Sequence, residues 1–164
     1  MTVATIGLDG LLQLGAQRYR VALGTAGIVP HKQEGDRGTP VGLLPLRRVF
    51  YRADRLPRPR AAVPIALLAP NDGWCDDPHD PAYNRLVRLP YPARHEPLWR
   101  DDTTYDLIGV LGWNDAPTIP RAGSAVFLHI ARPGLPPTEG CIALPQEDLL
   151  TLLANGLTAI EVQA

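Results

Sequence analysis

Short apolar runs recur along the chain, separated by glycine, proline and polar clusters, and this rhythm predicts strands with one helix near the end. Thr2 to Ile6, Leu11 to Leu14 and Tyr19 to Gly24 alternate around glycine turns, as in an antiparallel meander. Thr39 to Leu46 is extended because its prolines exclude a helix interior, and Arg47 to Tyr51 continues it as a strand. Val63 to Leu68 and Tyr105 to Trp113 read as two further strands. Between them Pro70 to Trp74 predicts a tight turn, and Cys75 to Arg100 carries Pro78, Pro81, Pro90, Pro92 and Pro97 among aromatic residues. That density predicts an ordered, draped flap without a regular ladder, and long ordered loops commonly line sites.

Ala125 to Leu128 is long enough for a buried strand and delivers His129 to its end. Pro133, Gly134, Pro136 and Pro137 then force a loop, which returns through Thr138-Glu139-Gly140-Cys141 to the apolar step Ile142-Ala143-Leu144. A hairpin-like excursion of this kind brings Cys141 beside His129. Pro145, Glu147 and Asp148 suit a helix start, four leucines between Leu149 and Leu153 give it an apolar face, and Asn155-Gly156 ends it. Thr158 to Val162 closes the chain as a last strand. The predicted class is mostly β, one domain over residues 1–164.

A thiol beside an imidazole is a reactive arrangement, because the ring can take the proton and hold the thiolate as an ion pair. Gly140 allows close approach of backbone to a carbonyl, and the N–H groups of Gly140 and Cys141 are candidate donors to an oxyanion. The same residues also suit a plain role, since a cysteine after glycine is often a small buried hydrophobe and a lone histidine often a core hydrogen-bonder.

The segment resembles the active-site motif of the YkuD-type L,D-transpeptidase family, in which a histidine after a strand is followed by a loop and a Ser/Thr-x-Gly-Cys step. The matching residues are His129, Thr138, Gly140, Cys141 and Ile142. Upstream, Lys32 to Gly42 is similar to the Lys…Thr-Pro-x-Gly step of that domain, and Asp77-Pro78 through Val87 looks like its small stand-alone branch. Glu139 stands where many members have His or Arg, Ala143 where many have Arg or Asn, and the loop between His129 and Cys141 is short. The resemblance implies a β-sandwich of mixed sheets with one or two short helices and a long proline-rich flap. It implies catalysis by Cys141, His129 and Gly140, with stem peptides of peptidoglycan held by Tyr83, Asn84, Arg85, Trp113, Arg132, Thr138 and Glu139. The expected reaction is transpeptidation through a thioester, forming 3,3 or unusual 1,3 cross-links with diaminopimelate. L,D-carboxypeptidase trimming of tetrapeptide stems is one alternative, and a non-catalytic wall-binding module is another.

Composition narrows the rest. A net charge of −1 without a basic run offers no track for nucleic acid, and no apolar stretch is long enough for a spanning helix. Five arginines between Arg47 and Arg58 read as a solvated loop, with contact to an acidic glycan polymer as the rival. Asp72, Asp76, Asp77, Asp80 and His79 match no metal-ligand spacing, so neither metal nor cofactor is expected. Cys75 is the one possible disulfide partner of Cys141, and both are expected free. No export signal is visible at the N-terminus, which sets a periplasmic cross-linking enzyme against a cytoplasmic recycling one. Nothing in the sequence specifies an oligomeric state.

Overall fold

The computed structural model describes all residues, 1–164. The strands β1 (Val3–Ile6), β2 (Leu11–Leu14) and β3 (Gln17–Arg20) form the expected antiparallel meander. Two short parallel segments follow, β4 (Ile28–Val29) and β5 (Thr39–Pro40), and then the long β6 (Gly42–Tyr51) and β7 (Ile65–Leu67). A separate group comprises β8 (Asp72–Cys75), β9 (Arg85–Arg88) and β10 (His95–Pro97). The chain then forms β11 (Leu107–Leu111), β12 (Phe127–Ile130), β13 (Ile142–Leu144), the single helix α1 (Gln146–Ala154) and β14 (Ala159–Val162).

β6 is the shared strand. Its first half, Gly42 to Pro45, pairs with β14, which runs parallel to β1; its second half pairs with β11 on one side and β7 on the other. The main sheet therefore runs β13-β12-β11-β6-β14-β1-β2-β3 and curls over one apolar core. Ala4, Ile6 and Leu12 meet Leu44, Leu107, Leu128 and Leu144 there, and Leu149, Leu152 and Leu153 of α1 close it. The mostly-β class and mixed sheets follow from this arrangement.

Alternation along two strands divides this core from a second one. Leu107 and Leu111 of β11 and Leu128 and Ile130 of β12 face the main core, while Ile108, Val110 and Phe127 join Phe50, Trp74, Leu98, Tyr105 and Cys141 on the opposite face. His129 shares the parity of Phe127 and so lies on that second face. The period of two has chosen its side.

Residues 70–100 correct the expectation of a flap without ladders. Asp72 to Cys75 is a strand, the centre of the antiparallel order β10-β8-β9. The prolines do not obstruct it, because Pro78, Pro81, Pro90 and Pro92 fall in the connections and Pro97 ends the edge strand β10. The arginine-rich stretch is likewise no loosely solvated loop throughout. Arg52 is buried, pairs with Asp54 and lies 3.4 Å over the Trp99 ring, while Arg55 pairs with Asp106 at 2.8 Å. These contacts hold the segment after β6 against Trp99, just beyond β10, and Asp106, just before β11.

Candidate active site

β12 and β13 are parallel, with Leu128 opposite Ile142, His129 opposite Ala143 and Ile130 opposite Leu144. The connection is thus a crossover that returns to the starting end of β12, and the hairpin-like return expected from sequence is replaced by it. Cys141, just before β13, arrives level with Phe127, whose N–H donates to Sγ at 3.4 Å. The thiol in turn donates to the Ala125 carbonyl at 3.2 Å. His129 lies two residues along on the same face, inside β12 rather than at its end.

Both residues border one cleft of about 760 Å³, together with Glu34, Arg37, Asp76, Glu96, Arg100, Tyr105, Arg132, Thr138 and Glu139. Cys141 retains 9 % exposure and His129 7 %. The orienter of the ring is a backbone group: Nδ1 donates to the Ile130 carbonyl at 2.9 Å. A carbonyl can only accept, so Nδ1 carries the proton and Nε2 is left as the basic nitrogen. The Tyr105 ring packs edge-on against the imidazole at 5.5 Å and against Phe127 at 5.9 Å.

The surroundings disfavour the charged form of both groups. Burial pushes the Cys141 thiol up to about 12, and the negative charge of Glu96 adds to that. Burial also lowers the His129 imidazole, with Arg100 and Arg132 acting in the same direction against the Ile130 bond. Both shifts disfavour the thiolate–imidazolium pair expected from sequence, and the desolvated thiol has an acceptor in the Ala125 carbonyl. The arrangement suits general-base removal of the proton at the moment of attack.

The loop before Cys141 is held from three directions. Thr138 donates its hydroxyl to the Cys141 carbonyl at 2.7 Å and accepts the Gly140 N–H at 3.1 Å. Gly140 is thus not a free oxyanion donor; the Cys141 N–H, which has no acceptor in the chain, is the available one. Thr39, from the upstream Thr-Pro step, donates its hydroxyl to the Gly140 carbonyl at 3.0 Å and accepts the Gly24 N–H at 2.9 Å. Ala22 and Ala143 exchange both backbone bonds, and Leu23 O receives the Thr138 N–H. Gly24 and Gly140 need their missing side chains. A Cβ on Gly24 would stand 2.2 Å from the Arg37 oxygen, and one on Gly140, at φ +132°, 2.8 Å from the Gly38 oxygen.

Of the expected substrate-binding residues, Arg132, Thr138 and Glu139 border the cleft, whereas Tyr83, Asn84, Arg85 and Trp113 do not. Tyr83 and Asn84 are buried and build the wall behind it. Asn84 Oδ1 accepts from Trp74 Nε1 and from the Ala125 N–H, and its Nδ2 donates to the carbonyls of Trp113 and Asn114. Ala125 sits at φ +52°, so Asn84 fixes the unusual backbone that presents the carbonyl to the thiol. Tyr83 and Ser124 both donate to Glu34 Oε1 at 2.6 Å. Arg85 and Trp113 border a smaller pocket on the far side of Trp74 and Phe127. Cys75 is buried and free, its thiol against Asp80 at 3.6 Å. No three His, Cys, Asp or Glu side chains converge as metal ligands.

The family model for the L,D-transpeptidase catalytic domain, YkuD, matches residues 12–162. The chain belongs to the YkuD family. No curated protein matches it. The YkuD match spans the crossover, the Thr39 clamp and the β8–β10 sheet alike. Glu96, Arg100 and Tyr105 are cleft residues that sequence reading missed. Alternation does not find Tyr105, which precedes β11 and lies on the face opposite Leu107 despite sharing its parity, and Glu96 lay in a stretch read as flap.

Proposed function

We propose that the chain is a cysteine-dependent L,D-transpeptidase that acts on peptidoglycan stem peptides through a thioester at Cys141, forming cross-links with diaminopimelate of the 3,3 or 1,3 type. The observation that carries this reading is the placement of Cys141 and His129 on one cleft wall by adjacent parallel strands, with Nε2 left as the basic nitrogen. Family membership makes the class of substrate peptidoglycan-related.

In the first half-reaction His129 Nε2 takes the thiol proton as sulfur attacks the stem amide carbonyl, and the Cys141 N–H faces the developing oxyanion. The imidazolium then protonates the departing amine, leaving an acyl-sulfur bond. An incoming amine captures the acyl group in the second half-reaction, with His129 again accepting a proton. Arg37, Arg100 and Arg132 border the cleft as counter-charges for stem carboxylates, and Asp76, Glu96 and Glu139 as counter-charges for amines. This mixed lining favours capture by a second stem over capture by water, the L,D-carboxypeptidase outcome.

Incubation with purified disaccharide-tetrapeptide tests the proposal. Dimers with loss of the terminal D-residue are expected from the wild type and none from Cys141→Ala. Trimmed monomers alone would favour the carboxypeptidase, and binding without any product in either protein would favour a wall-binding module.

A further inference from the structure

Glu96 is a carboxylate that the first half-reaction does not need. Strand β10 carries it opposite Trp74 into the cleft wall, where it is half-buried. Tyr105 donates its hydroxyl to Oε1, while Oε2 receives no hydrogen bond from the chain and no Lys, Arg or His nitrogen pairs with Glu96. Partial burial is costly for a carboxylate and pushes the Glu96 pKa up, against the Tyr105 hydrogen bond and the nearby charge of Arg100, which forms no ion pair with it. Its charge also disfavours ionisation of Cys141. A group that opposes formation of the nucleophile has its use at a different step.

Position indicates which step. The Tyr105 ring that holds Glu96 packs on His129 and on Phe127, and the Phe127 N–H holds the sulfur. The free carboxylate oxygen therefore belongs to the same wall as the reacting atoms. It is an acceptor seeking a donor, and a positively charged one best offsets its burial.

We propose that Glu96 seats the ammonium group of the amine that resolves the thioester, so that Glu96 and Tyr105 form the acceptor subsite. This deepens the transpeptidase reading and rests on it. The seated ammonium releases one proton to solvent through the open cleft. The resulting amine nitrogen attacks the thioester carbon, a C–N bond forms and the C–S bond breaks. The second nitrogen-bound proton passes through His129 to the departing sulfur, restoring the thiol and leaving a neutral amide. Water needs no cationic seat, so Glu96 biases the enzyme towards transfer.

The test is Glu96→Gln in the full chain, which keeps an oxygen for Tyr105 and removes the charge. With disaccharide-tetrapeptide as both donor and acceptor, the ratio of dimer to trimmed monomer is expected to fall by about tenfold, the scale of one charge-assisted hydrogen bond. The loss is expected in the acceptor KM. Alkylation of Cys141 by iodoacetamide at a fixed pH is expected to become faster with an unchanged melting midpoint, whereas a loosened site would speed it only with a lowered one. An unchanged product ratio, or an unchanged acceptor KM in a folded variant, overturns the proposal. Should the variant not fold, the wild type supplies the same decision: a trimethylammonium analogue of the acceptor, unable to attack, should suppress dimers without suppressing hydrolysis. Failure to do so overturns the subsite. Absence of any Cys141 thioester in the wild type overturns the transpeptidase reading itself, whereas dimers formed equally by wild type and Glu96→Gln overturn the subsite alone.

Discussion

Phe127 donates its backbone N–H to the sulfur of Cys141 over 3.4 Å, so the strand that carries the candidate base also holds the candidate nucleophile. The sulfur's other partner, the Ala125 carbonyl, lies two residues earlier on the same segment. Both partners are backbone atoms and both accept an oxygen in place of sulfur.

Cys141→Ser is therefore expected to fold with an unchanged melting midpoint while losing thioester formation and product by about a thousandfold or more. Intact-protein mass spectrometry after exposure to a carbapenem checks it, with a mass shift expected in the wild type alone. Cys141→Ala also removes the bonds to Phe127 and Ala125, and is expected to cost about 1 kcal/mol in denaturant unfolding.

Acylation should follow a single acid limb. Burial lowers the His129 pKa from the ordinary 6.5, and the ring must be neutral to accept the proton, so the rate rises with pH through a midpoint below 6.5. The thiol, pushed up to about 12, adds no free thiolate across the neutral range. A pH profile of kcat/KM for thioester formation checks both features. An added alkaline limb above 6.5, where an imidazolium would lose its proton, or thiolate absorbance at pH 7, would indicate an ion pair at rest instead.

Asn84 holds four groups at once, and Asn84→Ala leaves their buried partners unpaired, at a cost of about 3 kcal/mol. Because one of those partners is the Ala125 N–H, activity should fall further than stability alone explains. Thermal unfolding and acylation rate at a temperature where the variant remains folded separate the two effects.

Gly140→Ala is expected to lose activity by displacement of Cys141, since the new Cβ meets the Gly38 oxygen and the backbone is in the left-handed half of φ space. A destabilisation of about 2 kcal/mol accompanies it. Thr138→Ser, which keeps the hydroxyl that bridges Gly140 and Cys141, should retain activity, and Thr138→Val should not. Acylation rates for the three variants rank the contributions.

The elements that alternate or end in glycine were legible: β1, β2, β11, α1 with its Asn155-Gly156 stop, and β14 lie where the residue pattern puts them, while β3 begins and ends earlier, at Gln17–Arg20, than the expected Tyr19 to Gly24. The small sheet was not, because prolines were read by their number and not by their place. All of them stand in connections or at a strand end, where no ladder N–H is required. At the site, the pairing of Cys141 and His129 with one cleft came from a local motif, and the Thr39 clamp from a second one. Glu96 and Tyr105 came from neither, since their meeting depends on how β10 packs against β11. Tyr83 and Asn84, which the family resemblance set against stem peptides, are buried and turn their polar atoms inward to Trp74, Ala125 and Glu34, a placement that depends on packing and not on a local pattern.

The relative position of sulfur and imidazole is set by the register of two side-by-side strands, with Thr39 and Ala22 gripping the second from outside. Residues 132–137 join those strands without determining their spacing. That segment is accordingly the place where the protein can be re-tailored, by exchange or lengthening, to admit different stems while the reacting atoms stay put.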